Sequence, residues 1–414
     1  RTPTREALVL VIIVISCIFM ISGILYSVMI VPGMGSEMIQ QSYNVASSKY
    51  TVIIITFITP NLIFPILGGV LIDISLGVRW SMILFYFTCV LGQVIWFGAY
   101  YSSTYAFDIT LIGILIIGIG IGCMLTSQYV ACAYFFAGKY FTTLCASVSL
   151  FRYVVYLASY QLTVYISTST DTPTYSIGIG IIVLGISFIF IIGLFVYLRT
   201  EKHRVARPRN TIIPISFKLT ALFLLYLYLL CLLSSISILY RMAPKMLANT
   251  YNISHDNMMT FAEVIVPFLV ISVLVGSLIV DIVGYHLVFL VSGALIYNLS
   301  LACFIWFTIV PYWIWLIIMI IGFTCALYPS ISIVPFLLKK KYWGRGYSGA
   351  IVLLTISQII GFCLYHNVSD MINEIVMYTL SFISIICMVL LNYMDYKYGQ
   401  ILNHRPIHWR DLLY

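Results

Sequence analysis

Charge is scarce in this chain: Asp, Glu, Lys and Arg make up 8% of its 414 residues, whereas 62% are hydrophobic. Soluble domains contain about 25% charged and about 45–50% apolar residues, so a soluble globular fold is excluded. The apolar runs lack the alternation of a membrane β-barrel. Many windows of about 20 residues are apolar enough to cross about 30 Å of hydrocarbon as a helix. We therefore expect an all-α membrane protein.

The sequence gives no sign of a disulfide framework or a metal site, and no cleavable signal is expected in its first apolar run. The ten cysteines lie inside apolar runs with no partner across a loop, which favours packing roles over disulfides or a zinc site. The first apolar run is too long for a signal peptide and has no small-residue cleavage site. No nucleophile–base or metal constellation falls at membrane depth, so we expect neither enzyme activity nor a cofactor.

The charge that is present is concentrated in one central segment. Seven of the twelve residues 199–210 are Arg, Lys, His or Glu, and about 200 mostly apolar residues lie on each side. This pattern predicts an N-terminal six-helix bundle over residues 1–198 and a cytosolic basic linker over 199–216. A second six-helix bundle with a short cytosolic tail is predicted over residues 217–414.

The apolar runs predict twelve transmembrane helices. The six spans of the first half are expected at 7–31, 50–72, 79–101, 109–135, 141–166 and 175–198. Those of the second half are expected at 217–240, 261–283, 286–310, 312–337, 346–367 and 374–396.

Lys and Arg are distributed unevenly between the two sides of this predicted topology. Seventeen lie at the termini and in the even-numbered loops, whereas the opposite side holds only Lys49, Arg241 and Lys245. The positive-inside rule therefore places both termini in the cytosol. The net charge of +8 then reflects topology, and no nucleic-acid partner is expected. The sequons at Asn252 and Asn367 fall on the opposite side, as glycosylation requires.

A short motif occurs twice, at the ends of spans 2 and 8. Asp281 follows Asp73 by 208 residues, and glycines flank both. Such a repeat indicates a duplicated transporter with a pseudo-two-fold axis along the membrane normal. The predicted gating residues are Gly69, Asp73, Gly77, Arg79, Gly276, Asp281 and Gly284.

Each type of residue in the motif has a physical reason. Glycine lets helix backbones approach closely and turn sharply. An Asp at the cytosolic surface is stabilised by the positive N-terminal end of a neighbouring helix; the candidates are span 5, near Tyr140, and span 11, near Gly344. That contact would close a cytosolic gate. The alternative is that Asp73 and Arg79 only cap and anchor their span.

The motif resembles the signature of the major facilitator superfamily. Within that superfamily, the sequence is similar to the branch of lysosomal dipeptide uniporters. This similarity rests on Pro60-Asn61, Gly68-Gly69 through Asp73, Gly77-Val-Arg79, Gly92-Gln93-Val94, Gly118-Ile-Gly120, Gln128, Phe136-Ala-Gly138-Lys139 and Arg152.

The resemblance implies twelve helices in two pseudo-symmetric six-helix bundles that transport by alternating access. It also implies a lysosomal or vacuolar membrane in preference to the plasma membrane. A small-molecule substrate and the lipid bilayer are the expected partners, and a glycosylated single-pass accessory subunit is a candidate partner.

Arg152 is the one strongly charged residue deep within a predicted span. A buried Arg costs at least ~2.5 kcal/mol on insertion scales, so it needs a carboxylate or a wet cavity. Its planar donors match a carboxylate, and it does not deprotonate. We expect Arg152 to bind the acidic end of a substrate; the alternative is a structural ion pair.

Other polar residues are weaker candidates for substrate contact, since helix packing explains each of them as well. Tyr156 lies one turn from Arg152, and Glu263 is suited to a substrate amine or to an internal ion pair. The set is completed by Tyr26, Gln128 and Gln358. The dipeptide branch carries acids at the positions of Gly122 and Ser27, so recognition of a peptide amino group is left open.

Three functions follow from these residues. The first is facilitative uniport of a small carboxylated solute, with dipeptides favoured by resemblance. The second is transport of a neutral solute such as a sugar, for which Arg152 would be dispensable. The third is a receptor or scaffold that transports nothing, and a repeated gate motif argues against it.

Overall fold

The structure is a computed structural model of the whole chain. It describes residues 40, 43, 48–102, 104–136, 141–170, 173–200, 214–251, 257–307, 309–398 and 402–403. Within the described helices, several side chains fall outside the description, and those of Arg152, Tyr156 and Glu263 are among them.

The regular structure of the described residues is helical throughout. The helices are α1 Ser48–Ile58, α2 Pro60–Leu71, α3 Gly77–Ala99, α4 Ala106–Phe136, α5 Phe141–Thr170, α6 Pro173–Thr200, α7 Ile215–Tyr251, α8 Asn257–Val283, α9 His286–Trp306, α10 Tyr312–Leu337, α11 Trp343–Asn367 and α12 Asp370–Lys397. A π-helical turn, Ile72–Leu76, joins α2 to α3, and a 3₁₀ turn, Lys340–Tyr342, precedes α11.

Predicted spans 2 to 12 each coincide with a described helix, span 2 being divided between α1 and α2 at Pro60. The first predicted span, 7–31, lies outside the described residues. The largest difference concerns α7, which has 37 residues and continues to Tyr251, whereas the hydropathy pattern ends its span at 240. At 1.5 Å per residue, α7 is about 55 Å long and exceeds the hydrocarbon thickness.

The helices are long and apolar enough to cross a membrane. Eight stretches of the described residues meet that criterion, and one of them, Lys49–Ala99, contains two of the predicted spans. Large apolar side chains also face outward, for example Ile63 at 59%, Phe223 at 65% and Leu299 at 67% exposure. Lipid is the solvent that suits such a surface. The protein is an integral membrane protein.

The chain forms two compact units. Unit 1 comprises the described residues of Arg1–Ala131 and Val148–Val205, and unit 2 those of Cys132–Ser147 and Ala206–Tyr414. Unit 2 therefore includes the end of α4 and the first turns of α5, although both come from the first half of the chain. The bundle boundaries read from the sequence remain a prediction.

Glycine pairs bring helices into close contact in both units. A Cβ added at Gly92 of α3 would lie 2.7 Å from the carbonyl oxygen of Gly113 in α4. In unit 2, a Cβ added at Gly293 of α9 would lie 2.8 Å from the carbonyl oxygen of Gly322 in α10. Small residues allow this approach in lipid, where packing replaces the hydrophobic driving force. The third and fourth helices of each half thus share one packing device.

Of the nine described cysteines, eight are buried or half-buried. Cys123, for example, donates to the carbonyl oxygen of Phe64 at 3.1 Å and would meet any side chain placed at Gly68. Cys363 differs, since it is exposed on α11. No group of three metal-ligating side chains occurs among the residues that the structure describes.

Gly113→Ala should lower the apparent melting temperature of the detergent-purified protein. The new Cβ would lie 2.8 Å from both the Gly92 oxygen and the Trp96 nitrogen, so α3 and α4 must separate, at a cost of about 1–3 kcal/mol. Gly185→Ala is the matched control, because its Cβ would meet no atom within 4 Å. Equal melting temperatures for the two variants would show that the close contact between α3 and α4 does not limit the stability of the protein.

Candidate functional site at the repeated turn

The two copies of the motif form similar turns between consecutive helices. Gly77 begins α3 with φ of 64°, and Gly284 precedes α9 with φ of 75°. Backbone in this left-handed region favours glycine, because a Cβ would be strained there. The Asp-to-Gly spacing is four residues in the first copy and three in the second. The π turn Ile72–Leu76 accommodates the extra residue, as π bulges commonly do.

The carboxylate of Asp281 lies at the N-terminus of α5. The backbone N–H of Thr142 donates to Oδ1 at 3.2 Å, and that of Thr143 donates to Oδ2 at 2.7 Å. The Thr143 hydroxyl donates to Oδ2 at 2.6 Å. We call these contacts of Asp281, Thr142 and Thr143 the Asp281 clasp. Of the two helix starts favoured by the sequence, the carboxylate binds that of span 5.

The physical chemistry of the clasp is that of an anion at a helix N-terminus. The first N–H groups of α5 have no partner within the helix, and the helix dipole places positive charge beside them. A carboxylate satisfies both needs, and hydrogen bonds to a charged group contribute about 1.5–3 kcal/mol each. Asp281 is only half-buried, so water can replace these donors when the contact opens.

Two further contacts join the same segment to the rest of unit 2. Nε2 of His286, the first residue of α9, lies 3.5 Å from the Thr142 hydroxyl. Nζ of Lys340 lies 3.8 Å from the ring centroid of Tyr134, near the end of α4. A cation over an aromatic face is attracted by the ring quadrupole. Contacts from unit 2 therefore reach both the last turns of α4 and the first turn of α5.

The chain beyond α12 supports α9 from the other side. Asp395 accepts hydrogen bonds from the backbone of Leu402 at 2.8 Å and of Asn403 at 3.2 Å. The Asn403 side chain in turn accepts from the backbone N–H of Leu287 at 3.0 Å. Asn403 thus satisfies an unpaired donor at the start of α9, next to the turn that carries the Asp281 clasp.

The remaining predicted gating residues have separate environments. Gly69 is buried in α2, and Asp73 and Arg79 are half-buried on either side of Gly77. Asp73 has an interaction partner. At Gly276 an added Cβ would be 3.7 Å from Cys325 Sγ, an ordinary contact, so the close approach expected of this glycine is not required. The gating role of the whole set remains a prediction.

The predicted substrate-binding residues are only partly described. Gln128 is 2% exposed in α4, and neither its Oε1 nor its Nε2 has a hydrogen-bond partner. Gln358 is exposed on α11. The backbones of Arg152 and Tyr156 lie in α5 and that of Glu263 in α8, with their side chains outside the described part. Tyr26, Asn252 and the side chain of Asn367 also lie outside it.

Helices α7 and α11 pack closely near the predicted site residue Gln358. The Tyr226 hydroxyl donates to the carbonyl oxygen of Gly346 at 2.6 Å. Further along, a Cβ added at Gly361 would be 2.8 Å from that of Ser237. One residue later, the Arg241 guanidinium carbon lies 5.1 Å from the ring centroid of Phe362. Gln358 is one helical turn before Phe362.

Sequence reasoning missed Thr142, Thr143 and Phe362. Two threonines directly after a predicted helix start are a signal that could have been used, since their N–H groups and hydroxyls are all donors. Phe362 offers no comparable signal, because an aromatic residue in an apolar span is indistinguishable from packing before its partner is known.

No protein-family model matches the chain, and neither does any curated protein sequence. Solved structures do match over almost the whole length. The chain has the major facilitator fold. It superposes on the major facilitator superfamily transporter FucP in the outward conformation with a TM-score of 0.67, 15% identity and coverage of 94% of this chain and 98% of that one.

Two other transporters with the major facilitator fold are equally similar. The proton:xylose symporter XylE bound to 6-bromo-6-deoxy-D-glucose gives a TM-score of 0.67 at 13% identity, covering 95% of this chain and 96% of that one. The human organic anion transporter MFSD10 gives 0.66 at 12% identity, covering 94% and 100%. The superpositions establish the fold alone, because the sequence identities are low. Membership of the dipeptide branch is still only a resemblance.

Asp281→Asn should speed amide hydrogen exchange in the peptide that contains Thr142 and Thr143. The neutral amide keeps the shape of the side chain and loses the charge that holds three donors. Asp395→Asn is the matched control, since that carboxylate also accepts two backbone N–H groups within unit 2. It should deprotect residues 402–403 and leave 141–147 unchanged. Unaltered exchange at 141–147 in Asp281→Asn would contradict the assigned contact.

Proposed function

We propose that this protein is a membrane transporter that moves a small carboxylated solute by alternating access, most simply as a facilitative uniporter. Dipeptides are the first substrate class to test, because the sequence resembles the dipeptide uniporter branch. The alternative cargo is a neutral solute such as a sugar, and FucP and XylE, which share the fold, make it worth testing in parallel.

The observation that carries transport is the Asp281 clasp. It joins the turn after α8 to the start of α5, so residues from the two halves of the chain meet through a few polar contacts. Such contacts exchange readily with water, whereas a packed apolar interface does not. A reversible polar closure at the predicted cytosolic end is what alternating access requires. A receptor or scaffold needs no such device.

The argument for a carboxylated cargo starts from Arg152. Its backbone lies in the middle of α5, eleven residues after Phe141, which corresponds to about 16 Å along the helix. A guanidinium at that depth is retained where it has an anionic partner or water. The transported solute supplies the anion in this proposal. That the human MFSD10, an organic anion transporter, has the same fold is consistent with an anionic cargo.

Uniport is proposed because few titratable groups are available to carry a coupling proton. Arginine stays protonated, and Asp73, Asp281 and Asp370 lie at helix ends. Glu263, in the second turn of α8, is the remaining acid that we assign to the substrate site. We place it there as a partner for a substrate amine or for a cation of α7.

The membrane and the accessory subunit are inferred from the same resemblance, and the orientation and glycosylation sites from the Lys, Arg and sequon positions in the sequence. We propose a lysosomal or vacuolar membrane with both termini in the cytosol, N-glycosylation at Asn252 and Asn367, and a glycosylated single-pass accessory subunit as a candidate partner. The seventeen cytosolic cations support this orientation.

Purified protein in liposomes should take up alanyl-alanine and exclude alanyl-alaninamide, which lacks only the carboxylate. Arg152→Gln should reduce alanyl-alanine uptake at least tenfold, since a charge-assisted pair is lost. Because a uniporter moves no protons, the proton flux should be zero in wild type and should stay at zero in Glu263→Gln. Gly185→Ala serves as the control variant. Equal uptake of alanyl-alanine and alanyl-alaninamide would contradict a carboxylated cargo. Uptake of xylose that is the same in wild type and in Arg152→Gln would support a neutral cargo instead.

A further inference from the structure

A groove between α3 and α6 opens on the surface of unit 1. Its volume is about 370 Å³, and it is lined by Leu76, Trp80, Ile83, Leu84, Phe87 and Phe188. The first five of these lie on one face of α3, because they follow one another at helical spacings of three and four residues. All six side chains are apolar, and those of Trp80, Leu84 and Phe87 are exposed. Hydrocarbon is the solvent that suits this surface, so we expect a lipid chain to occupy the groove.

Phe188 forms the wall that α6 contributes, and its ring is fixed by two others. It lies 6.0 Å from the ring of Tyr86, with 5° between the two planes, and 6.3 Å from the ring of Phe87. Further along the same two helices, Nε2 of Gln93 donates to the carbonyl oxygen of Ile177 at 3.1 Å. These contacts hold α3 against α6, so the groove exists before a ligand binds. A preformed groove lowers the entropic cost of binding.

The length of the groove matches one leaflet of a bilayer. Leu76 is the last residue of the π turn before α3, and Phe87 follows it by eleven residues, or about 16 Å along the helix at 1.5 Å per residue. Half of a hydrocarbon core of about 30 Å is about 15 Å. The groove therefore runs from one end of the span to the middle of the membrane. An acyl chain of the adjacent leaflet has this course, and its headgroup would then lie beside Leu76.

A cation lies at the end of the groove where that headgroup is expected. Arg79 follows Leu76 by three residues and precedes Ile83 by four, so it borders the same face of α3, and it is half-buried. The guanidinium group of arginine binds phosphate through two parallel hydrogen bonds, and its stem packs on apolar surface. The Lys and Arg distribution predicts this end of α3 to be cytosolic. The cytosolic leaflet contains the anionic phosphatidylserine and phosphatidylinositol lipids.

We propose that Arg79 and the α3–α6 groove form a binding site for one anionic phospholipid of the cytosolic leaflet. Arg79 binds the phosphate of the headgroup, and the groove holds one acyl chain from Leu76 to Phe87. Because Leu76 ends the π turn that contains Asp73, the bound lipid also contacts the first copy of the repeated motif. The site goes beyond the proposed transport function and does not depend on the identity of the solute.

Photolabelling in phosphatidylcholine nanodiscs tests the groove. A trace of phosphatidylserine or of phosphatidylcholine, each with the same diazirine-bearing acyl chain, is added and irradiated, and labelled peptides are quantified by mass spectrometry. The phosphatidylserine probe should label residues 76–87 at least fivefold more than the phosphatidylcholine probe. Leu84→Trp, which fills the groove from an exposed position, should abolish this excess. The matched control is Leu299→Trp at an exposed position of α9, which should leave the excess unchanged.

The same assay tests the role of Arg79. Arg79→Gln should lower phosphatidylserine labelling of residues 76–87 to the phosphatidylcholine level, and Arg79→Lys should keep a preference because it keeps the charge. Equal labelling by the two probes in wild type would mean unselective surrounding lipid and would overturn the proposal. An excess that persists in Leu84→Trp or in Arg79→Gln would also overturn it, as would displacement of the probe by a sterol and not by unlabelled phosphatidylserine. Labelling requires no transport, so a failure of alanyl-alanine uptake would leave this result unaffected.

Discussion

The carboxylate of Asp281 is the constraint on which this end of unit 2 depends. A charged group at a membrane surface must find donors in the protein or in water. The start of α5 has donors that no helix can satisfy for itself. Bringing the two together solves both problems, and it positions the first turns of α5 within unit 2. Two neighbouring contacts stabilise the helices that carry this pair: Lys340 lies over the Tyr134 ring near the end of α4, and Asn403 accepts a hydrogen bond from Leu287 at the start of α9.

Repetition explains much of the architecture, and the departures from it are informative. Glycine pairs pack the third and fourth helices in both units, and both turns use a glycine with positive φ. The first copy contains one more residue between its Asp and Gly, and the π turn absorbs it. The two turns are therefore related in sequence and differ in local geometry.

Sequence reasoning predicted the fold well because hydropathy and helix length are tightly linked in lipid. It placed α3 to α12 within a few residues, with α7 as the exception, since Arg241 to Tyr251 is polar enough to end a span without ending a helix. The sequence left two helix starts, those of spans 5 and 11, as candidate partners of the Asp. An acid is stabilised at any helix N-terminus, so this rule alone could not choose between them. The Arg241–Phe362 contact could not be predicted, since it depends on the register between two helices distant in sequence.

The central claim is that the contacts at the start of α5 must open for a solute to pass. A double variant, Tyr134→Cys with Lys340→Cys, replaces two residues whose side chains meet, Lys340 Nζ lying 3.8 Å from the Tyr134 ring centroid, and it leaves Asp281 intact. Contact between the ends of two long side chains does not bring their Cβ atoms within the about 4 Å that a disulfide needs, so a reducible bis-methanethiosulfonate cross-linker spans the two cysteines. Cross-linking should stop alanyl-alanine uptake into liposomes, reduction should restore it, and each single variant should be insensitive to both treatments. Full uptake by a completely cross-linked protein would contradict the account.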